Sequence, residues 1–414
     1  MPGRRQPRPH RSPAPAEPAA LAVVPGFRAA GMHAGIKKQE IPDLALIVSE
    51  PPARAAGIFT RNRFPSPSVQ VSRMHVRSGE CRALLVNSGN ANACTGERGL
   101  RDAVELCRRT ARAVGGREQE VLVASTGVIG VPLPIERVRR ALPRLVRGLD
   151  PGGFPAAAEA IRTTDRLEKH GWAQVSVGGR QVTLFGMAKG AGMICPNMAT
   201  MLAFFFTDLR APAPALRRLL REGAAESFNR IQVDGDQSTN DTVLLLANGL
   251  ADNAPAAAET SEYRAFASIL FPMMRDLATR IVRDGEGATK VVEIAVHEAR
   301  TNAEARLFAY RLAGSPLVKT SFYGQDPNWG RLMAALGDAG PGLDPQKIDI
   351  FYDSIPAVLN GISAGTRQEA RLRQVLRRES FTVSIRLGRG PGAFSLLTSD
   401  LTHDYVSLNA SYRS

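Results

Sequence analysis

The spacing of hydrophobic and polar residues predicts a chain in which β-strands alternate with α-helices. Apolar residues recur at the helical interval from Leu100 to Val114, and Gly115-Gly116 ends this predicted amphipathic helix. Short apolar runs bounded by turn residues predict buried strands at 82–87, 121–124 and 201–206. Because the same alternation continues into the second half of the chain, the pattern indicates mixed sheets covered by helices.

Turn-forming residues divide the rest of the pattern. Gly178-Gly179 separates two alternating strands within 168–185, as in a β-hairpin. The segment Asp43–Glu50 predicts a strand that ends at a loop formed by Pro51-Pro52, and Ser125-Thr126-Gly127 predicts a turn after a strand. In the second half we expect helices near Pro212 and over 261–280, and strands over 291–298, 348–352 and 381–387.

The composition indicates a soluble globular protein, and the length suggests either two lobes or one large two-layered body. The 414 residues are 44% hydrophobic and 22% charged. No apolar run approaches the ~18 residues that a membrane span needs. The 53 Lys and Arg against 39 Asp and Glu give a net charge of +14, but many arginines fall in helical patterns. With 2 Trp and 6 Tyr there is no basic strip interleaved with aromatic residues, so we expect no nucleic-acid partner and no membrane partner.

The cysteines and histidines give no sign of a metal site or a disulfide framework. The four Cys and six His show no paired ligand spacing, and scattered thiols suit a reducing compartment, so a cytoplasmic location is expected. Residues 1–22 are rich in proline and arginine and lack the apolar core of a secretory signal. We interpret them as a disordered tail. An organellar transit peptide is the second interpretation.

Two glycine-containing motifs are weak candidates for a catalytic or binding site. Ser363 in Gly-Ile-Ser-Ala-Gly fits the nucleophile elbow of hydrolases, and Asp400 and His403 follow it in suitable order. The short separation leaves little of the sheet that a hydrolase fold needs between these residues. The cluster Gly388–Gly392 lacks the lysine and the strand–helix context of a phosphate-binding loop, so an ordinary turn is expected there.

Thr200 is the third candidate, because it joins the Gly-rich segment 186–200 to the predicted strand 201–206. A threonine hydroxyl is a poor nucleophile without a base, but cleavage of the preceding peptide bond would expose an α-amine with a reference pKa of about 7.7–8.0. The residue would then carry its own base. Ala199 gives the scissile carbonyl little steric cover, and the upstream glycines could hold a strained peptide. The same spacing also fits a threonine that merely begins a buried strand and has no catalytic role.

Eight sequence blocks resemble the ornithine acetyltransferase family, in the family's order. They lie between about residue 23 and the C-terminus and read GFRAAGMHAGIKK, LLVNSGNANACTG, ASTGVIG, GMAKGAGMICPNMATMLAFFFTD, SFNRIQVDGDQSTNDT, RDGEGATK, DPNWGR and DLTHDYVSLNASYRS. The resemblance implies a two-lobed α+β protein with a four-layer αββα arrangement. It also implies self-cleavage between Ala199 and Thr200 into an α chain, 23–199, and a β chain, 200–414, assembled as an α2β2 heterotetramer.

The implied activity is acetyl transfer in arginine biosynthesis. Thr200 would take the acetyl group from N-acetylornithine as an ester and pass it to glutamate in a ping-pong cycle. No cofactor and no metal are implied. The motifs leave open whether acetyl-CoA serves as a second acetyl donor.

The resemblance also implies roles for individual residues. Thr200 is the nucleophile, and Thr126 and Gly127 match the oxyanion hole. The substrate-binding positions fall on Thr163, Lys189, Thr200, Glu286, Asn409 and Ser414. A cation such as Lys189 and an anion such as Glu286 are a matching pair for the carboxylate and ammonium of an amino-acid substrate. The segments 234–241 and 326–331 are interpreted as rigid turns.

The chain departs from the family pattern at a few positions, and two alternatives stay open. Arg166 replaces the usual threonine after Thr-Thr-Asp, and Ser414 replaces the more common terminal threonine, but neither change removes a required functional group. One alternative is a hydrolase that resembles the self-cleaving aminopeptidases, in which water replaces glutamate as the acceptor. The other is a nonenzymatic basic binding protein that never cleaves.

Overall fold

The computed structural model describes residues 23–195, 201–340 and 342–411. Three of the sequence predictions fall elsewhere in the chain. The predicted disordered tail at 1–22, the predicted cleavage site at Ala199 and Thr200, and the predicted substrate contact Ser414 all lie outside the described residues.

Strands and helices alternate along the described residues. The strands are β1 (Phe27–Met32), β2 (Leu44–Phe59), β3 (Glu80–Asn90), β4 (Val121–Val128), β5 (Lys169–Val177), β6 (Arg180–Lys189), β7 (Leu202–Thr207), β8 (Ile231–Gln232), β9 (Thr242–Ala247), β10 (Val291–Ala299), β11 (Asp349–Tyr352), β12 (Ile355–Leu359), β13 (Ile362–Ser363), β14 (Ser380–Arg386) and β15 (Gly392–Ser399). The helices are α1 (Pro67–His75), α2 (Gly96–Val114), α3 (Ile135–Arg147), α4 (Phe154–Ala160), α5 (Ala213–Ala225), α6 (Ser261–Arg283), α7 (Asn302–Ala313), α8 (Pro316–Tyr323), α9 (Trp329–Ala339), α10 (Glu369–Leu376) and α11 (His403–Ser411).

Sheet 1 forms the first lobe and has the strand order β4-β3-β2-β9-β7-β6-β5, with β1 paired to β2 outside this order. The pairs β3–β4 and β7–β9 are parallel, whereas β2–β9 and β6–β7 are antiparallel. Every residue of β7 is buried. A strand that is covered on both faces needs apolar side chains at successive positions, which explains the unbroken run Leu-Ala-Phe-Phe-Phe.

The two faces of sheet 1 pack against different helices. Phe205 belongs to a core cluster that includes buried residues of α5 and α6. Its neighbours Phe204 and Phe206 belong to another cluster, where the Phe206 ring lies 5.3 Å from the Phe154 ring of α4. Helices α2 and α3 cover β3 and β4 through a third cluster. Alternate side chains of a strand point to opposite faces, so one short run of aromatic residues anchors helices on both sides.

Sheet 2 forms the second lobe, with the order β13-β12-β11-β14-β10-β15-β8. It has its own core, to which α7, α8, α9 and α10 contribute. Lys319 of α8 is buried beside this sheet, where its Nζ donates to the Ser399 carbonyl at 2.5 Å and to the hydroxyls of Thr398 and Ser399 at 3.1 Å. Burial lowers the pKa of Lys319 to about 8, and nearby acidic groups only partly oppose this shift.

Most of the predicted elements are present, but two predicted turns are wrong. Pro51-Pro52 does not end a strand, because β2 continues to Phe59 with a register shift between Val48 and Ala53 against β3. An irregularity of this kind lets a strand pass residues that cannot join a regular ladder. Ser125-Thr126-Gly127 is likewise part of β4, because these residues continue the parallel pairing with β3.

The predicted layered α+β fold of two lobes is confirmed by the two mixed sheets and their covering helices. None of the helices in the described ranges is both long enough and apolar enough to cross a membrane.

Candidate active site

A cavity of about 170 Å³ is lined by residues from both halves of the chain, between Ala91 and Asn409. It is lined by six of the residues that the sequence predicts for the site, namely Thr126, Gly127, Thr163, Lys189, Glu286 and Asn409. Met201 lines it as well. Thr200 is covalently joined to Met201 but lies outside the described residues, as does Ser414. The fold therefore brings together the six predicted residues that can be described, and their catalytic and binding roles stay predictions.

Lys189 and Thr126 meet across the cavity. Lys189 is the last residue of β6 and Thr126 lies near the end of β4, and Lys189 Nζ donates to Thr126 Oγ1 at 3.1 Å. The Lys189 side chain is buried, and desolvation lowers its pKa, while the negative charges of Asp165, Glu286 and Asp241 oppose this shift. The cavity thus contains an ammonium group that has few water molecules around it, which strengthens its attraction for an anion.

Gly127 lies where β3 and β4 approach too closely for a side chain. Its φ is +131°, and a Cβ at this position would lie 2.3 Å from the Gly89 carbonyl carbon and 2.5 Å from the Asn90 nitrogen. Only glycine avoids both the unfavourable backbone conformation and these contacts. The same close approach holds the adjacent Thr126 at the wall of the cavity.

Glu286 enters the cavity from the turn that follows α6. Its backbone N–H donates to the Ala191 carbonyl at 3.0 Å, and Asn409 Nδ2 of α11 donates to Glu286 Oε2 at 2.8 Å. A Cβ on Gly192 would lie 2.5 Å from the Glu286 carboxylate, so a side chain at this position would displace the carboxylate. Two separate segments therefore fix the position of the carboxylate.

The segment 234–241 also lines the cavity, a placement that the interpretation as a rigid turn missed. Asp234 accepts hydrogen bonds from the backbone N–H groups of Met193 at 2.6 Å and Ile194 at 2.8 Å. Asn240 Nδ2 donates to the Ala91 and Ser125 carbonyls at 2.6 and 2.8 Å. The lining residues of this segment are Asp234, Asp236, Ser238, Asn240 and Asp241.

The signal for this placement lies in strand pairing. The segment leads into β9, and β9 pairs in parallel with β7 so that Thr242 lies opposite Leu202. The Thr242 N–H donates to the Met201 carbonyl at 3.1 Å, so the start of β9 lies next to Met201, the residue before β7. The sequence analysis predicts β7 as an apolar run at 201–206 but does not predict β9, so it gives no sign that the two strands are neighbours.

The structure separates the residues of the alternative hydrolase elbow. Ser363 is exposed on β13, at one edge of sheet 2, and four strands lie between β13 and β15. At about 4.8 Å per strand, roughly 24 Å separates Ser363 from the end of β15 that leads to Asp400. Asp400 instead accepts hydrogen bonds from the backbone of Thr289 and Lys290. Within the described residues there is also no cluster of His, Cys, Asp or Glu that could hold a metal ion.

The opposite charges of the cavity suit a small zwitterionic molecule. Lys189 supplies a buried cation, and Glu286 supplies an anion that lines the same cavity. A Thr hydroxyl and a glycine of β4 lie beside the cation. The fold and the site together define an enzyme that acts on a small amino-acid-like substrate.

Comparison with known proteins identifies the family. The chain belongs to the ArgJ family, whose model matches residues 28–414. It is 49% identical to the arginine biosynthesis bifunctional protein ArgJ of Geobacter sulfurreducens over 391 residues, which cover 94% of this chain and 99% of the relative. It is 46% identical to the protein of the same name from Syntrophotalea carbinolica, covering 95% of this chain and 100% of the relative. The predicted family is thereby confirmed.

One solved structure among those similar to this chain is the arginine biosynthesis bifunctional protein of Bacillus halodurans. The identity is 38%, the match covers 50% of this chain and 96% of that chain, and the TM-score is 0.47.

Proposed function

We propose that this protein transfers the acetyl group of N-acetylornithine to glutamate in arginine biosynthesis. The observation that carries the proposal is the single cavity lined by Lys189, Glu286, Thr126 and Gly127. Membership of the ArgJ family supports it, because the curated relatives are named arginine biosynthesis bifunctional proteins. The volume of about 170 Å³ suits an amino acid and its acetyl group rather than a polypeptide.

The nucleophile of the proposed reaction is Thr200, released by self-cleavage after Ala199. Support comes from Met201, the next residue in the chain, which lines the cavity. The described residues before the cleavage site are held firmly, since Asp234 binds the backbone of Met193 and Ile194. Met193 has a φ of +57°, which is unfavourable for a residue with a side chain. Backbone strain of this kind is often found at reactive sites.

The first half-reaction forms an acetyl ester. Thr200 Oγ attacks the acetyl carbonyl carbon, and the free α-amine of Thr200 takes the hydroxyl proton. The carbon–nitrogen bond then breaks, and the proton passes to the α-nitrogen of the departing ornithine. In the second half-reaction the neutral α-amine of glutamate attacks the ester. The carbon–oxygen bond breaks, and Thr200 Oγ regains a proton.

Thr126 and Gly127 stabilise the negative oxygen that develops in both half-reactions. Lys189 donates to Thr126 Oγ1, so the hydroxyl hydrogen of Thr126 remains available to the oxyanion. The Lys189 charge also polarises this hydroxyl. One donor of this kind contributes about 2.7–4 kcal/mol to the barrier reduction.

Charge complementarity explains substrate recognition. Lys189 binds a substrate carboxylate, and Glu286 binds the side-chain ammonium of N-acetylornithine. Asn409 Nδ2 donates a hydrogen bond to Glu286 Oε2 at 2.8 Å and so holds the carboxylate in place. Thr163 and Ser414 complete the set of proposed substrate contacts.

The wider proposal concerns assembly, donors and location. Cleavage gives an α chain, 23–199, and a β chain, 200–414, which assemble as an α2β2 heterotetramer in the cytoplasm. The reaction needs no cofactor, because the acetyl group is carried by Thr200. Acetyl-CoA acts as a second acetyl donor if the enzyme is bifunctional, as the names of its relatives state for those proteins.

Intact-mass spectrometry under denaturing conditions tests the cleavage. We expect two fragments from the wild-type chain, one beginning at Thr200, and one full-length chain of 44.5 kDa from Thr200→Ala. Ser363→Ala is the matched control and should cleave as the wild type does. An uncut wild-type chain would contradict the proposed nucleophile.

An acyl-transfer assay tests the reaction itself. Cleaved protein is incubated with N-acetylornithine, with and without glutamate, and both N-acetylglutamate and free acetate are measured. We expect N-acetylglutamate only when glutamate is present, with ping-pong kinetics. Release of acetate at the same rate without glutamate would favour the hydrolase instead.

A further inference from the structure

A fully buried lysine lies behind the cavity and binds two carboxylates. The Lys169 ammonium is 2.7 Å from Asp165 Oδ1 and 2.6 Å from Asp284 Oδ2, and the Lys169 side chain is only 1% exposed. Both aspartate side chains are also buried. Lys169 does not line the cavity, so direct contact with a small substrate does not explain it. Asp284 lines only an adjoining cavity, which shares Glu286 with the first.

The two carboxylates also bind the backbone of neighbouring segments. Asp165 accepts from the N–H groups of Thr163 at 3.0 Å and Gly190 at 2.7 Å. Asp284 accepts from the N–H groups of Arg166 at 3.0 Å and Leu167 at 3.3 Å. Hydrogen bonds from neutral donors to a buried carboxylate are strong, because the charge is poorly screened.

Each of the segments joined in this way contributes to the lining of the cavity. The segment 163–167 carries Thr163, the end of β6 carries Lys189 next to Gly190, and the turn after α6 carries Glu286 two residues beyond Asp284. One buried ion cluster thus connects three stretches of chain that are far apart in sequence.

We propose that Lys169 is a positioning residue that aligns Thr163, Lys189 and Glu286 through Asp165 and Asp284, and that Asp165 and Lys169 together set the charge of the Lys189 ammonium. The inference deepens the proposed acetyl transfer and rests on it. It concerns how the charge of the buried substrate-binding cation depends on its neighbours.

Stability alone gives little reason for such a cluster. Burying charges requires the loss of their hydration, and replacing a buried ion cluster by apolar residues of similar volume is often neutral or stabilising. A cluster at this place is better explained by what it does to its neighbours.

The charges that face Lys189 act in opposite directions. Burial lowers the pKa of Lys189. The carboxylates of Asp165, Glu286 and Asp241 raise this pKa, whereas the Lys169 ammonium lowers it further. Lys37 also faces this group, because the Lys189 charge, after burial, helps to lower the pKa of Lys37 to about 8. Removing the charge of Asp165 must therefore lower the pKa of Lys189, and removing the charge of Lys169 must raise it.

These predicted directions of the Lys189 pKa change give a test, because a merely structural role for Lys169 would not produce them. The pH dependence of kcat/KM is measured for wild type, Asp165→Asn and the double variant Lys169→Met with Asp284→Asn. The double variant keeps the Asp165 carboxylate opposite Lys189 and neutralises Asp284, the other carboxylate that loses the ammonium. Glu369→Gln, which breaks an exposed ion pair with Arg373 on α10, is the control. Thermal unfolding establishes that each variant is folded.

We expect the alkaline limb of the kcat/KM profile to move in opposite directions in Asp165→Asn and in the double variant. It should shift by about one pH unit to lower pH in Asp165→Asn and by about one unit to higher pH in the double variant. The limb should not move in the control. Folded variants whose limbs coincide with that of the wild type, or move in the same direction, would overturn the inference. A wild-type protein without acetyl transfer would instead overturn the proposed function, on which the inference rests.

Discussion

Replacing Thr126 by valine separates the two tasks that its hydroxyl group performs. Valine has nearly the same shape as threonine but has no hydroxyl, so the packing of β4 is retained. The variant removes the proposed donor to the oxyanion and also removes the acceptor of the Lys189 hydrogen bond, which is 3.1 Å long. The loss of the oxyanion donor should lower kcat, because that interaction forms only during the reaction. The loss of the acceptor for Lys189 should lower thermal stability, because that hydrogen bond is present in the resting enzyme.

The expected magnitudes follow from the contacts. Loss of one oxyanion donor raises the barrier by about 2.7–4 kcal/mol, which corresponds to a decrease in kcat of roughly 100- to 1,000-fold. The Lys189 ammonium loses an acceptor in a buried position, and an unsatisfied buried group costs about 1–3 kcal/mol of stability. Since the donor acts on the transition state, the KM for N-acetylornithine should change much less than kcat.

The assay uses protein whose self-cleavage has been verified by intact mass. Acetylation of the β chain in a single turnover and kcat with glutamate are measured for wild type, Thr126→Val and Thr126→Ser. The serine variant keeps the hydroxyl and should stay within about tenfold of wild type. If Thr126→Val also stays within tenfold while its thermal stability falls, Thr126 only supports Lys189, and the oxyanion role is refuted.

Three further substitutions test other parts of the site and the fold. Gly127→Ala would place a methyl group 2.3 Å from a backbone carbon, so thermal stability and kcat should both fall. Gly130 also has a positive φ, but an added Cβ there would meet no atom within 4 Å, so the control variant Gly130→Ala should keep kcat. Equal kcat values for the two variants would contradict the importance of the close approach. Glu286→Gln removes a negative charge from the cavity, so the KM for N-acetylornithine should rise at least about tenfold, and an unchanged KM would exclude Glu286 from ammonium binding. The pKa of Lys319 is about 8 in the folded protein and 10.5 ordinarily, so between these values the unfolded chain binds more protons and wild-type stability rises with pH. Lys319→Met should lack this pH-dependent change in stability, which amounts to about 3 kcal/mol over the full range. Urea unfolding at several pH values measures it, and identical pH slopes for both proteins would show that Lys319 does not titrate in this range.

Hydrophobic periodicity correctly predicts the elements that are determined by residues close together in the chain. The helix that ends at Gly115 is present as α2, and Gly115 has the left-handed conformation of a helix end. The hairpin at Gly178-Gly179 joins β5 to β6 as expected. Each of these features depends on residues close together in the chain, so local sequence suffices.

The failures concern residues whose surroundings come from distant parts of the chain. The sequence Ser125-Thr126-Gly127 predicts a turn, but pairing with β3 keeps Thr126 and Gly127 in a strand. Lys169 reads as an ordinary polar residue of a strand, although a carboxylate 115 residues later binds it. Lys189 and Glu286 were found only through family resemblance, because nothing in hydrophobic spacing marks a polar residue that faces a cavity.

The strand order of sheet 1 decides what a single cut before Thr200 would do to the molecule. Strands β2, β3 and β4 on one side, and β5 and β6 on the other, precede the cut, whereas β7 and β9 between them follow it. The two products would be interlaced within one sheet. Neither could leave without breaking the β2–β9 and β6–β7 ladders together, and the strands of the first product alone would form two half-sheets with no strand ladder between them. The uncut chain completes this interlacing before it is divided, whereas fragments made separately would have to fold and associate in the same step.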